Sequence, residues 1–330
     1  MGRTRHDAIE HRTPSLARRY AERVLAALRD VAPQTTFVDG YEGAAPAKGA
    51  AAGRKRGIIR VDATGAAEAG RRRFESRRWP GTMIQRLIRD EIDLAIMDAR
   101  WIPLELPSPV EIAAILERTN PFDALISCED LILDEQPENT AIAASDPVKR
   151  GQLLYYRPDL KLVDANDDFD DLFTSVKRGS IGGFVFPASD IEALNQQENV
   201  VEVFTTSICT PVPGQGALAL LGRKDAKEVF AVARHLNDAS TAAEVELERL
   251  FLEFVTKDGR GPVGALGNVE GISFEIEAAI AAPDGSEKIV GGASGQLADR
   301  AKIVEKLAGE LVQSGGGEII ASFRKARGNG

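Results

Sequence analysis

Between residues 92 and 222 the chain alternates short apolar runs with amphipathic stretches, and this alternation narrows the fold more than any other feature. Residues 92–97, 123–127, 140–146, 161–163 and 182–187 read as strands, and residues 81–89, 148–156 and 169–177 read as helices among them. Strands of about three to seven residues that wait for a helix before the next strand predict α/β sheets covered by helices, not an all-β sandwich. One more strand, 217–221, follows the proline- and glycine-rich turn Pro211-Val212-Pro213-Gly214-Gln215-Gly216.

Upstream, Leu16, Ala17, Tyr20, Val24, Leu25 and Leu28 recur at helical spacing behind Thr13, which is placed to cap an amphipathic helix over 14–31. Residues 40–53 are rich in alanine and glycine and predict a poorly ordered loop. After residue 222 the pattern changes. Helices are expected at 228–236 and 242–255. A hairpin of 272–281 with 287–291 should turn at Pro283-Asp284-Gly285-Ser286, and a last helix (297–314) and a last strand (318–321) complete a small α+β unit.

A net charge of -9 lacks the excess of lysine and arginine that neutralising phosphates requires, so no nucleic-acid partner is expected. Cys128 and Cys209 are the only cysteines, too few for a disulfide framework, and no thiol–histidine spacing points to a metal. The polar start of the chain leads into no apolar run, so the expectation is a cytoplasmic monomer with no membrane contact.

Four ordered landmarks carry a family resemblance. Glu91-Ile92-Asp93-Leu94-Ala95, continued by Ile102-Pro103-Leu104-Glu105-Leu106-Pro107, is similar to a segment reading E-I-D-L-A-V-H-S-x-K-D-x-P-x-E-L-P. Glu117-Arg118-Thr119-Asn120-Pro121-Phe122-Asp123-Ala124-Leu125 resembles R-E-D-P-R-D-A-L. Pro213-Gly214-Gln215-Gly216-Ala217-Leu218 is similar to a G-Q-G-A-L hinge strand. Ala282-Pro283-Asp284-Gly285-Ser286 sits where the hairpin of a third domain should, and beside these four landmarks Lys257-Asp258-Gly259-Arg260-Gly261-Pro262-Val263-Gly264-Ala265 looks like a cofactor-anchoring loop. Together they resemble the porphobilinogen deaminase (hydroxymethylbilane synthase) family of tetrapyrrole biosynthesis.

The resemblance implies two α/β lobes like those of periplasmic binding proteins, plus a small α+β C-terminal domain. Lobe one would hold 1–107 and 210–222, lobe two 108–209, and the third domain 223–330, with crossings at 106–109 and 210–214. It also implies a transferase that condenses four porphobilinogens head to tail with loss of ammonia. The growing chain is held on a cysteine-linked dipyrromethane, an aspartate faces the pyrrole cation, and cations hold the carboxylates.

Carried over position by position, Gly259 stands at the family cysteine, so dipyrromethane is not expected there and no cofactor is assigned. Trp101 stands at the family aspartate, Arg100 at its lysine and Asp98 at its serine. Asp98 is either a relocated acid or a strand-end cap, and Arg100 either a carboxylate contact or a snorkelling arginine. Arg12, Lys149 and Arg150 are the further candidate contacts for substrate, porphobilinogen or an oligopyrrole; Lys149 and Arg150 read equally as solvated helix charges. Asn166-Asp167-Asp168-Phe169-Asp170-Asp171 replaces a basic family segment and suits a helix N-terminus. Cys209 or Cys128 would be the only alternative sulfur. The competing reading is a catalytically degenerate two-lobed protein that binds a small anionic ligand.

Overall fold

The computed structural model describes residues 16–39, 58–62, 78–144, 146–164 and 168–328. Arg12, Thr13, the 40–53 loop and the basic residues 54–56 and 71–77 lie outside the described residues. In chain order, α1 (Leu16–Val31) leads to β1 (Thr36–Asp39), β2 (Ile58–Asp62), α2 (Arg78–Ile88), β3 (Leu94–Asp98) and β4 (Val110–Ile115). The chain then crosses to β5 (Asp123–Ser127), β6 (Ala141–Ala143), α3 (Pro147–Tyr156), β7 (Lys161–Val163), α4 (Phe169–Lys177), β8 (Gly183–Pro187), α5 (Ala188–Ala193) and β9 (Glu202–Val203). It returns through β10 (Leu218–Arg223) and α6 (Lys227–Ala233). It ends with α7 (Ala239–Thr256), β11 (Val263–Glu270), β12 (Ser273–Ala281), β13 (Lys288–Gln296), α8 (Arg300–Leu311) and α9 (Gly317–Gly328).

Two five-stranded mixed sheets result, ordered β1-β2-β3-β10-β4 and β7-β6-β8-β5-β9. In each, two parallel pairings are followed by two antiparallel ones. The antiparallel strand between neighbours is the one that has just crossed: β10 enters the first sheet from the second lobe, and β5 enters the second sheet from the first. This double crossing makes two α/β lobes with a seam between them.

Both faces of the first sheet are buried, as a helix-covered sheet requires. Leu94, Ile96, Leu218 and Leu220 pack under α1 and α6, while Ala95, Met97, Ala219 and Leu221 pack under α2 and Val245 of α7. In the second lobe, α4 and α5 cover one face, where Phe169, Phe184 and Phe186 meet edge to face, and α3 covers the other through Leu153. The third unit is an antiparallel meander, β11-β12-β13, whose alternate residues Phe274, Ile276, Ala278 and Ile280 face α7, α8 and α9.

Three expectations are corrected. Val110–Ile115, assigned by the division at 107/108 to lobe two, pairs with β10 in the first sheet, so the chain leaves that sheet after Leu116 and not at 106–109. Residues after 223 do not all belong to the third unit, because Val229 and Ala233 of α6 lie in the α1 core. Residues 318–321, expected as a strand, begin α9: a π turn at Val312–Gly316 carries the chain from α8 straight into another helix, and Ile319 and Ile320 bury against the meander. An apolar run that short fits either period. Strand β11 was missed because its glycines and asparagine mask the alternation.

Three segments meet at one side chain. Glu248 of α7 is fully buried, and its Oε1 accepts from Arg118 Nη1 at 2.7 Å and from the Gly267 amide of β11 at 2.9 Å. Its Oε2 accepts from Arg118 Nη2 at 2.9 Å and from the Gly214 amide at 2.6 Å. Arg118 lies on the outward crossing and Gly214 on the return. An amide at 248 leaves one carbonyl oxygen for four donors and turns an NH₂ toward two of them. Glu248→Gln is therefore expected to destabilise the protein by about 3–5 kcal/mol, whereas Glu246→Gln, at an exposed pair with Arg300, changes stability by less than about 1 kcal/mol. Urea unfolding followed by circular dichroism measures both, and equal midpoints for the two variants would contradict the assignment.

Candidate functional site

The seam between the lobes is closed by charged side chains that the two sheets deliver to it. Asp98 ends β3 and caps the single 3-10 turn Ala99–Trp101, accepting from the Arg100 amide at 2.9 Å. Its two oxygens also take Arg100 Nε at 3.0 and 2.9 Å. Arg100 reaches across the seam to Asp190 of α5 at 3.0 Å, and Asp190 takes the Tyr20 hydroxyl of α1 at 2.5 Å. The return crossing presses on this turn, since a Cβ on Gly214, whose φ is +84°, would come within 2.8 Å of the Ala99 carbonyl carbon.

Burial sets the protonation of this chain of groups. It pushes Asp98 above the usual carboxylate range, with Arg100 pulling the other way. It works against the Arg100 charge as well, but Asp190 and Asp98 overcome that and hold the guanidinium well above its ordinary value. Burial, then Asp190 and Asp98, raise the Tyr20 phenol well above its own. Asp98 is thus a cap and a partner to Arg100. Trp101 is half-buried, its ring centroid 6.0 Å from the Arg100 guanidinium carbon, and carries no charge.

Lys149, near the start of α3, is buried and ion-paired with Asp123 of β5 at 2.6 Å. Asp123 also accepts from the side-chain Nε2 of Gln215 at 3.1 Å, which ties this pair to the return crossing. Asp146 caps α3 through the Val148 amide at 2.7 Å, and burial raises its carboxyl against the pull of Lys149. Arg150 donates to the Ala144 carbonyl at 3.0 Å and meets Asp164 at 3.1 Å. The structure therefore brings Asp98 and Arg100 together and sets Lys149 beside them closely enough for its charge to act on that of Arg100. It places Arg150 at a separate strand end, and Asp168 caps α4 through the Asp171 amide.

The loop after α7 carries Gly259 with φ +74°, its amide donating to Thr256 Oγ1 at 3.0 Å. A Cβ there would stand 3.2 Å from Leu104 Cγ. No sulfur is offered, so these residues do not fit a thioether-linked dipyrromethane. Cys209 is fully buried, and burial together with Asp123 raises its thiol well above the ordinary value. Cys128 donates to the Val176 carbonyl at 3.1 Å in the other core of the second lobe. A buried thiol whose ionisation is opposed in this way, as at Cys209, is a poor nucleophile. Among the described residues there is no cluster of three metal-ligating side chains, and no helix is long and apolar enough to cross a membrane.

Tyr20, Asp123 and Asp190 escaped the sequence reading as site residues. A signal for Asp190 was present: residues 179–222 contain no lysine or arginine, so a buried carboxylate there has to find its cation elsewhere in the chain. A cavity of about 380 Å³ also opens on the seam beside Tyr20, walled by Arg19 and Arg23 on α1 and by Ser189 and Glu192 on α5.

Residues 71–231 match the family described as "Porphobilinogen deaminase, dipyromethane cofactor binding domain". Similar proteins include the porphobilinogen deaminase of Pelotomaculum thermopropionicum, 30% identical over 72% of this chain and 77% of that one. That of Desulforudis audaxviator is 32% identical over 73% and 78%, and that of Deinococcus radiodurans is 29% identical over 75% and 80%. Among solved structures, a periplasmic sulfonate-binding protein from Methylobacillus flagellatus superposes loosely, with a TM-score of 0.31 and 15% identity over 61% of this chain and 58% of that one.

The raised carboxyl of Asp146 fixes the sign of a pH effect. Because its value in the folded chain lies above that in the unfolded chain, its stabilising contribution is fully present below the ordinary carboxylate range. It is lost as pH rises through the raised value. Asn keeps the cap without titrating. Asp146→Asn should therefore gain on the native chain in unfolding free energy between about pH 4 and pH 7. Paired urea titrations at the two pH values measure this, and a loss over the same interval would mean that Lys149 outweighs burial.

Proposed function

Since the chain belongs to the porphobilinogen deaminase family, we propose that it keeps the family frame without the family turnover, and acts as a two-lobed binding protein for a small anionic ligand. The observation that carries this reading is Gly259: the loop holds its turn, yet no side-chain atom is present there to bond a pyrrole. Support comes also from the seam. Arg100 and Lys149, which the resemblance assigns to substrate carboxylates, are buried and engaged by Asp98, Asp190 and Asp123 of the chain itself. A polycarboxylate would have to displace those partners and then face them.

The alternative of a divergent synthase would need Asp98 as the acid opposite the pyrrole cation, and Asp98 is turned to Arg100 at both oxygens. On the favoured reading Arg100, Lys149 and Arg150 are engaged by carboxylates of the chain and are not contacts for a growing oligopyrrole. The protein works as a monomer in the cytoplasm, in the setting of tetrapyrrole biosynthesis.

Intact-mass measurement after acid denaturation is expected to give the mass of the bare polypeptide, and the purified protein should leave porphobilinogen unconsumed. A mass increment on Cys128 or Cys209, or steady formation of hydroxymethylbilane, would refute the proposal.

A further inference from the structure

The meander of the third unit ends on an open strand. β13 pairs with β12 from Lys288 to Gln296 in an unbroken antiparallel register, and no strand among the described residues pairs with its other side. The phase of that ladder is set at both ends, where the Ala282 amide donates to the Glu287 carbonyl and the Leu297 amide to the Ile272 carbonyl, each at 2.8 Å. Bonded pairs alternate along an antiparallel ladder. Ile289, Gly291, Ala293 and Gly295 therefore bond to β12, while Val290, Gly292 and Ser294 turn their N–H and C=O groups away from it. These outward peptide groups have no partner in the chain among the described residues.

Sheet edges are ordinarily blunted by proline, by a bulge, by a lysine held over them or by brevity. β13 is nine residues long, with no proline and no bulge, and its one charged residue, Lys288, turns its Nζ to the Ser207 and Ile208 carbonyls at 3.2 and 3.1 Å. Gln296 is likewise turned inward, to Ser273 Oγ at 3.2 Å. Val290 is 63% exposed, and Gly292 and Ser294 are exposed beside it. The opposite face of the strand is backed by α8, since a Cβ on Gly291 would meet Leu311 and one on Gly295 would meet Ile303.

The neighbouring strand decides what an added chain should carry. Glu275 and Glu277 of β12 stand opposite Ser294 and Gly292 on the exposed face, and neither pairs with a cation among the described residues. Only the short side chain of Ser294 and the bare backbone of Gly292 separate them from the edge. A strand added beside β13 would lie two strand spacings, about 10 Å, from β12. A lysine or arginine laid across Gly292 or Ser294 bridges that gap, whereas an acidic side chain there meets like charge. The net charge of -9 favours a basic segment further.

We propose that the β13 edge docks an extended basic segment of a partner protein as a fourth, antiparallel strand. Its main chain pairs with Val290, Gly292 and Ser294, and alternate lysine or arginine side chains reach over Gly292 and Ser294 to Glu277 and Glu275. The site goes beyond the reading of the seam and does not depend on what the lobes bind.

Fluorescence anisotropy of the full chain tests this, with a labelled, end-blocked heptapeptide alternating threonine and lysine as probe. Saturable binding at millimolar concentration is expected, with a peptide alternating threonine and glutamate at least about 10-fold weaker. Methylating the lysine amides of the probe keeps its charge and should abolish binding. Ser294→Pro removes an outward N–H but no bond to β12, and should weaken binding at least about 10-fold, circular dichroism reporting whether the sheet is retained. The methylated probe reads the same pairing without altering the protein. Glu275→Gln combined with Glu277→Gln should bring the two peptides within about 3-fold of each other. No binding of the basic probe, unchanged affinity after methylation, or an undiminished preference in the double variant would overturn the assignment. Sedimentation of the native chain covers the other occupant: a dimer that Ser294→Pro disrupts would give the edge to a second copy and overturn the proposal.

Discussion

Glu248 is the point at which the three parts of this molecule become one. A carboxylate with no exposed surface survives only if its charge is matched and its lone pairs are filled. Arg118 supplies the charge and two donors, and the amides of Gly214 and Gly267 supply the other two. Burial works against the Arg118 charge, and Glu248 and Glu244 together more than compensate. Both crossing segments and the first strand of the meander are therefore held to one residue of α7. Gln215, next to Gly214, extends the tie into the second lobe through Asp123. The relative placement of the lobes follows from these contacts before any ligand is considered.

The same rule governs the seam. Asp98, Asp123, Asp146 and Asp190 are carboxylates in its interior, facing Arg100 and Lys149 as cations. Acid groups outnumber bases there, and burial shifts Asp98, Asp146 and the Tyr20 phenol upward, in the direction of their neutral forms. An interior of this kind holds the lobes together, whereas Arg19 and Arg23 of α1, just outside it, have no carboxylate partner among the described residues. The charge of Arg100 and Lys149 is committed to internal ion pairs.

The sheets were legible because their strands have one dominant pattern: Leu94 to Met97 and Leu218 to Leu221 are apolar on both faces, which only a helix-covered sheet satisfies. The register between distant segments was not legible. Nothing near Val110 says that it pairs with β10, because the partner lies more than a hundred residues away and arrives from the other lobe. The short run Ile319-Ile320 carries no period, so its helix depended on the π turn before it and the meander beneath it. At the site, Asp98, Arg100, Lys149 and Gly259 could be singled out by motif position, but their state could not. Whether a cation faces solvent or a carboxylate is decided by residues such as Asp190 and Tyr20, which sit in segments with no motif at all.

The loop at Gly259 keeps its shape through contacts made by its neighbours. Asp258 is held by Arg260 at 3.0 Å and by Arg324 of α9 at 2.9 Å; burial works to raise its carboxyl, but the Arg260 amide and the two guanidiniums together keep it below the usual range. Arg324 also reaches the Thr256 carbonyl at the end of α7, and Arg249 of the same helix holds the Ile102 and Pro103 carbonyls at 2.8 and 2.7 Å, beside the Leu104 that faces Gly259. None of these contacts involves a side chain at position 259. With φ at +74° that position favours glycine over any residue bearing a Cβ, and Leu104 narrows the space further. Backbone conformation and the nearness of Leu104 are together enough to account for glycine at this position.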